Sequence, residues 1–346
     1  MTAATLSIDL NAIVANWRAL DALSAPNVQT SAVVKADGYG LGAGPIAMAL
    51  FKAGARSFFV ALAQEGVAVR KAVGNAPAIY VFSGLMQGDI PLMQEYNLVP
   101  LLNSAKQLVK FRMQAPNMAY GVQIDTGMNR LGMELSEYIM VRDKIAKAEL
   151  IISHMACSDI PEHAQNSQQL QNFTEMTRGL SIPRSLSATG GILLGADYHF
   201  DMVRPGIGLY GGAPFRQAKP VATVSIPVIQ TRNIKAGQTV GYAALWTAKR
   251  PTKIATLAAG YADGLIRALS KSDLKVWAGN TPCPIVGRIS MDLITVDVTD
   301  TERVPDHMDI INADQTVDHV AKAAGTIGYE ILTSLGARYN RDYIGR

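Results

Sequence analysis

Eight short apolar runs, spaced for crossover connections, constrain this chain more than any other feature. They lie near residues 31–35, 57–62, 78–82, 98–102, 120–125, 149–154, 184–188 and 200–205. Most are separated by stretches long enough for a helix, as parallel neighbours require. About eight such units in roughly 220 residues predict an α/β fold of the (β/α)8 TIM-barrel type rather than an open sheet. Upstream, Asp9 can cap a helix whose apolar positions Leu10, Ile13, Val14, Trp17, Leu20 and Leu23 follow helical spacing.

The character changes near Val221. The runs Thr223–Thr231, Lys253–Ala258, Leu274–Ala278, Cys283–Val286 and Leu293–Val298 are separated by turns such as Lys235-Ala236-Gly237-Gln238. They predict a C-terminal, mainly β domain over residues 221–346 after a barrel over residues 1–220. Thr316–Gly325 and Tyr329–Leu335 read as short helices near its end. The 346 residues are 49% hydrophobic, enough for two cores. The net charge of +4 comes without a basic run, so no nucleic-acid surface is expected. No stretch reaches the ~18 uninterrupted apolar residues of a membrane span. The N-terminus lacks a signal-type core. Cys157 and Cys283 lie far apart without metal-type spacing, which fits a reducing cytoplasm. The five histidines never cluster as ligands, so no metal is expected.

Chemistry in such a barrel gathers where strands end. The first run stops at Lys35 within Ala32-Val33-Val34-Lys35-Ala36-Asp37-Gly38-Tyr39-Gly40. Burial there lowers a lysine's pKa and prepares it for a carbonyl or a proton. Taken alone, such a lysine is more often a snorkelling side chain. Two glycine-rich segments follow the last two strands, Ser187-Ala188-Thr189-Gly190-Gly191 and Val203-Arg204-Pro205-Gly206-Ile207-Gly208. Their N–H groups can cradle an anion at the corner where barrels often bind phosphate. Gly38–Ala43 also matches a dinucleotide fingerprint, but the second strand does not end in the acidic residue that fingerprint needs. Arg130 sits on a barrel-mouth loop, where a guanidinium can grip a carboxylate. His154 ends the sixth strand. Tyr261, in Ala259-Gly260-Tyr261-Ala262-Asp263-Gly264, becomes a base candidate if a neighbouring cation lowers its pKa.

As a set, the lysine–tyrosine loop, Asp125–Gly132, the histidine-ending strand, Val203–Gly211, Ala258–Gly264 and Gly287–Asp292 resemble the alanine racemases, fold-type III enzymes of pyridoxal 5'-phosphate (PLP). The resemblance runs from about residue 5 to about residue 343 and implies a homodimer with shared sites. The strand before Asp9 is then expected to pack with the β domain. By motif, Lys35 looks like the residue bonded to PLP. Tyr39, Thr189 and the N–H groups of Gly206 and Ile207 would hold its phosphate. Arg204 would face the pyridine nitrogen, with His154 hydrogen-bonded to it. Arg130 and the Met291 N–H would bind the substrate carboxylate, supported by Gln123 and Asp292.

The resemblance further implies two bases, Lys35 acting on the D-enantiomer and Tyr261 of the partner subunit on the L-enantiomer. It implies D-alanine made for peptidoglycan. A broad-specificity racemase, a basic amino-acid decarboxylase and a non-catalytic PLP carrier are the alternatives. Arg204 in place of a carboxylate speaks against decarboxylation, and the β domain speaks against the carrier. Three positions depart from the family pattern: Gln123 replaces a common carbamylated lysine, Thr189 a serine, and Ala337 a phosphate-binding tyrosine.

Overall fold

The computed structural model describes residues 4–345 and resolves into two compact units. One comprises Ile13–Leu209 and Ala213–Ala218. Its parallel strands are β2 (Gln29–Thr30), β3 (Ala32–Val33), β4 (Ser57–Val60), β5 (Ala78–Val81), β6 (Val99–Leu102), β7 (Gly121–Gln123), β8 (Ile151–Ile152), β9 (Arg184–Ser185) and β10 (Met202–Val203). Strands β3 to β9 form one sheet in chain order, as right-handed crossovers produce. β2 and β3 are one strand interrupted at Ser31. β10 pairs with β2, and a bridge between Ala188 and Arg204 joins it to the continuation of β9. The eight expected runs therefore close into a ring. β4 and β6 are buried throughout, as strands covered on both faces must be.

The other unit contains the chain up to Ala12, Tyr210–Gly212 and Lys219 onward. β1 (Thr5–Asp9) runs antiparallel to β11 (Ala222–Ile234) and parallel to β19 (Asn340–Ile344). This includes the segment expected to pack with the β domain; of that segment, residues 1–3 lie outside the described residues. Asp9 ends β1 and caps helix Leu10–Asp21, its Oδ1 accepting the Ala12 N–H at 2.9 Å. Between β11 and β19 lie β12 (Thr239–Val240), β13 (Trp246–Thr247), β14 (Thr252–Leu257), β15 (Lys275–Ala278), β16 (Thr281–Pro284), β17 (Ile294–Asp297) and β18 (His307–Ile311). β11 pairs with β1 and β18 along its first half, then with β14 along its second. Register shifts at Val224/Ser225 and Val228/Gln230 let one strand change partners.

Strands β12, β13, β18 and β19 were not among the sequence expectations. β19 reads Asn-Arg-Asp-Tyr-Ile and stays largely solvent-facing, so pairing with β1 alone makes it a strand. The β unit takes in residues 4–12, the strand expected to pack there together with the first three residues of helix Leu10–Asp21.

One buried cation ties the barrel's helical layer together. Arg70, on helix Ala63–Val73, is 4% exposed and donates to the carbonyls of Tyr96, Asn97, Gly74 and Pro77 at 2.7–2.9 Å. Replacing it by methionine strands four carbonyls. Arg70→Met should lower unfolding free energy by about 3–5 kcal/mol in urea titrations. A loss under about 1 kcal/mol would show that water serves those carbonyls equally well.

Candidate active site

The chain leaves β3 through an uncommon conformation. Ala36, Asp37, Gly38 and Tyr39 all adopt left-handed φ, at 52°, 52°, 63° and 58°. For the three non-glycine residues this costs about 1–2 kcal/mol each. The turn persists because its groups are over-determined. Gly38 N–H donates to Val34 O at 2.9 Å, and Gly40 N–H to Ala36 O at 2.7 Å. The Asp37 carboxylate caps the next helix at Ala43 N, 2.8 Å away. Glu65 accepts the Ala36 N–H through one oxygen at 3.0 Å and the Ala61 N–H through the other at 2.7 Å. Sequence reading gave Glu65 no role at this site. Its signal was its place three residues after Leu62, at a helix start.

Lys35 opens this turn. Burial pushes its amine below the ordinary lysine range, nearby Arg130 adds to that, and Glu65 opposes both. Its Nζ lies 5.7 Å from the Phe82 ring centre. Phe82 stacks on Phe59, and Arg204 lies over Phe59 at 5.9 Å. Two cations thus share one aromatic floor.

Arg204, 2% exposed, follows β10. It donates to Ser185 O at 2.8 Å, Ser153 O at 2.6 Å and Leu186 O at 3.3 Å, and to the Ser185 hydroxyl. Burial pushes it down to about 9, so at neutral pH it remains a cation. The expected bond from His154 to Arg204 is not made; backbone and serine oxygens take the donors on both Nη atoms. Of those partners only the Ser185 hydroxyl had a sequence signal, a serine inside an apolar strand, and sequence reading missed it. His154 keeps some exposed surface. Burial foremost, then Arg204, Arg130 and Lys35, depress its pKa to about 3. The imidazole is therefore neutral.

At the glycine corner, Thr189 Oγ1 accepts the N–H groups of Gly206 at 3.0 Å and Gly208 at 3.2 Å. Gly206 N–H, expected to face an anion, is thus shared with this hydroxyl. A Cβ on Gly206 would sit 2.4 Å from the Tyr39 hydroxyl, so only glycine allows the two to meet. Ile207 begins the short turn Ile207–Tyr210 and is buried. Lys35, Tyr39, Thr189, Arg204 and Gly206 therefore converge, with Arg130 and His154 within electrostatic reach.

Arg130 is exposed on the loop after β7. Gln123, 5% exposed, donates from Nε2 to the Leu131 carbonyl at 3.1 Å, and its backbone carbonyl accepts Met133 N–H at 2.9 Å. The amide thus grips the loop's backbone beside Arg130. A cavity of about 410 Å3 lies along this loop's other wall, bounded by Asp125, Asn129, Leu135, Tyr138 and Asn172. Lys35, His154 and Arg204 do not line it, so it is not the reaction site. Among the described residues, no group of three or more His, Cys, Asp or Glu forms a metal cage.

Tyr261 and Met291 belong to the β unit. Tyr261 N–H donates to Ser290 O at 3.1 Å and Ala262 N–H to Met291 O at 2.9 Å, so their two turns lie side by side. Both side chains are substantially exposed. Ala337 precedes Arg338, which bonds Asp292. Tyr339 is buried, and burial and Asp263 hold its phenol well above the usual range.

Two guanidinium cations, Arg130 and Arg204, and a neutral imidazole gather around a reactive amine, with one carboxylate nearby already engaged by backbone N–H groups. Such a field recruits an anionic, carbonyl-bearing partner. The family model for the alanine racemase N-terminal domain matches residues 8–214, and that for the C-terminal domain matches residues 221–343. An alanine racemase of Ruegeria sp. (strain TM1040) is 56% identical, covering 99% of each chain. One from Rhizobium meliloti is 40% identical over 98% of this chain and 96% of its own. Among solved structures, alanine racemase from Bartonella henselae with covalently bound pyridoxal phosphate superposes with a TM-score of 0.93. It is 38% identical and covers 99% of this chain and 100% of its own.

The depressed pKa of His154 has a thermodynamic consequence. Between its ordinary value of 6.5 and about 3, the unfolded chain binds a proton that the folded chain refuses. Stability is thereby lost as pH falls through that window. His154→Gln should flatten this part of the profile in urea unfolding between pH 7 and 4. A slope equal to wild type would contradict the neutral imidazole.

Proposed function

Because this chain belongs to the alanine racemase family, we propose that it interconverts L- and D-alanine with PLP, using Lys35 on one substrate face and Tyr261 of the partner subunit on the other. The observation that carries this reading is the half-buried Lys35 amine, held below its ordinary pKa with Arg130 and Arg204 at the same barrel mouth. The residues suit the cofactor. The Tyr39 hydroxyl lies against the bare face of Gly206, leaving a cradle that any Cβ would fill. Tyr39, Thr189, Gly206 and Ile207 would hold the phosphate, Lys35 would bond the carbonyl carbon, and Arg204 would face the ring nitrogen.

When bound, PLP spreads the charge left on the substrate's α-carbon after proton removal. Lys35, deprotonated more readily than an ordinary lysine, takes or returns the α-proton on the D side. The Tyr261 hydroxyl does the same on the L side. Racemisation needs both, because one base cannot reach opposite faces of a planar carbon. Arg130 and the Met291 N–H would grip the carboxylate, with Gln123 anchoring the Arg130 loop and Asp292 beside Met291. Arg204 does not readily surrender a proton, which restrains charge withdrawal and disfavours transamination. His154, neutral, adds no further positive charge. No helix among the described residues is long and apolar enough to cross a membrane. The product would serve cell-wall synthesis.

Purified protein with PLP should convert L-alanine to racemate, and Lys35→Ala should not. Wild type without conversion would refute the reading. Sharing of sites across a homodimer has its own test. Lys35→Ala and Tyr261→Phe protomers, each weak alone, should recover about a quarter of wild-type sites after random reassortment, since half the dimers then hold one intact site. No recovery on mixing would place both bases in one subunit.

A further inference from the structure

We propose that Arg338 is a positioning residue whose guanidinium locks the Tyr261 turn to the Met291 turn and so sets where the Tyr261 hydroxyl acts. The proposal rests on the reading of Tyr261 as an acid/base. Arg338 Nε lies 3.1 Å from Asp263 Oδ1, and its Nη1 lies 2.7 Å from Asp292 Oδ1. Asp263 ends the short helical turn Tyr261–Asp263, and Asp292 directly follows Met291. One planar fork thereby spans both turns.

The two carboxylates differ. The Asp263 side chain is 5% exposed, and its second oxygen accepts the Gly260 N–H at 2.9 Å, immediately before Tyr261. Among the described residues, Arg338 is its recorded ion-pair partner. Asp292 is exposed, so it contributes reach rather than a buried charge. The path of the chain brings Arg338 there. Gly264 holds φ +90°, and a Cβ on it would meet the Ser334 carbonyl at 2.1 Å. Segment 334–338 therefore passes directly over the end of the Tyr261 turn, and Gly336 N–H donates to Asp263 O at 3.4 Å.

Packing within one protomer does not hold the working side chains, since Tyr261 is 42% and Met291 55% exposed there. Two backbone hydrogen bonds and this ion-pair bridge hold their turns instead. A lysine can supply the charge but not the fork that meets two carboxylates at once.

The test uses the full-length PLP-loaded enzyme in D2O with D-alanine. Lys35 removes the α-hydrogen, and inversion then requires Tyr261. A displaced Tyr261 leaves deuterium entry into D-alanine intact while inversion slows. Arg338→Met should raise the ratio of exchange to inversion about tenfold or more, toward the value of Tyr261→Phe, with Arg338→Lys between. Amide exchange by mass spectrometry should quicken about tenfold in peptides spanning 259–264 and 289–293, with barrel peptides unchanged. Should Arg338→Met fail to fold, Asp292→Asn severs the exposed arm alone and should shift both readouts the same way by less. Exchange and inversion falling in proportion, or both turns exchanging at wild-type rate, would overturn the proposal. A wild type that fails to racemise alanine would instead sink the reading of function, and the amide readout would still decide the bridge.

Discussion

The pairing of Gln29–Val33 with Met202–Pro205 is the contact on which the rest of the site depends. Ser31 N–H donates to Val203 O at 3.0 Å, its hydroxyl reaches the same oxygen at 2.8 Å, and Val33 N–H donates to Pro205 O at 2.9 Å. Trp17 caps the opposite side, its indole N–H donating to Ser31 O at 3.1 Å. This seam closes the ring of strands. It also sets Lys35 and Tyr39, which follow one strand, against Arg204 and Gly206, which follow the other. Lose the seam and the amine, the hydroxyl and the glycine corner no longer face one another.

Closure brings cations together, which elementary electrostatics opposes. Burial and mutual repulsion lower the pKa of both Lys35 and His154. The chain answers each charge differently. Arg204 keeps its proton because strand carbonyls surround it, while Lys35 is left with an aromatic face and a distant carboxylate. That difference divides the labour: a permanent donor on one side, an amine ready to lose its proton on the other. The left-handed turn after Lys35 adds strain at the same place, balanced by Glu65 and Asp37. Strain and a concentration of positive charge thus meet at one barrel mouth, a setting that attracts an anionic ligand.

The β unit solves a different problem. Its working side chains are not packed within their own unit, so packing there does not aim them. Turn geometry, cross-linked by backbone hydrogen bonds and a two-carboxylate bridge, does so instead. Precision at an exposed site therefore resides in residues such as Asp263 and Arg338 that touch no substrate in the proposed reaction.

The sequence by itself determined the barrel's strand runs, their order and the change of character near Val221, because apolar runs and turn residues are local signals. It also determined which residue types stand at strand ends: Lys35, His154, Arg204 and the glycines after it. Tertiary structure alone decided the partners of those residues. Arg204 is held by Ser153, Ser185 and Leu186 rather than by His154, and Gln123 works on a backbone carbonyl. Polar β19 is a strand only beside β1. β1, expected beside the β domain, takes its register there from β11 and β19, more than two hundred positions away. Each of these depends on which oxygen or strand edge lies nearest after the chain has folded. That distance is a property of closed rings and paired edges, and no window of neighbouring residues contains it.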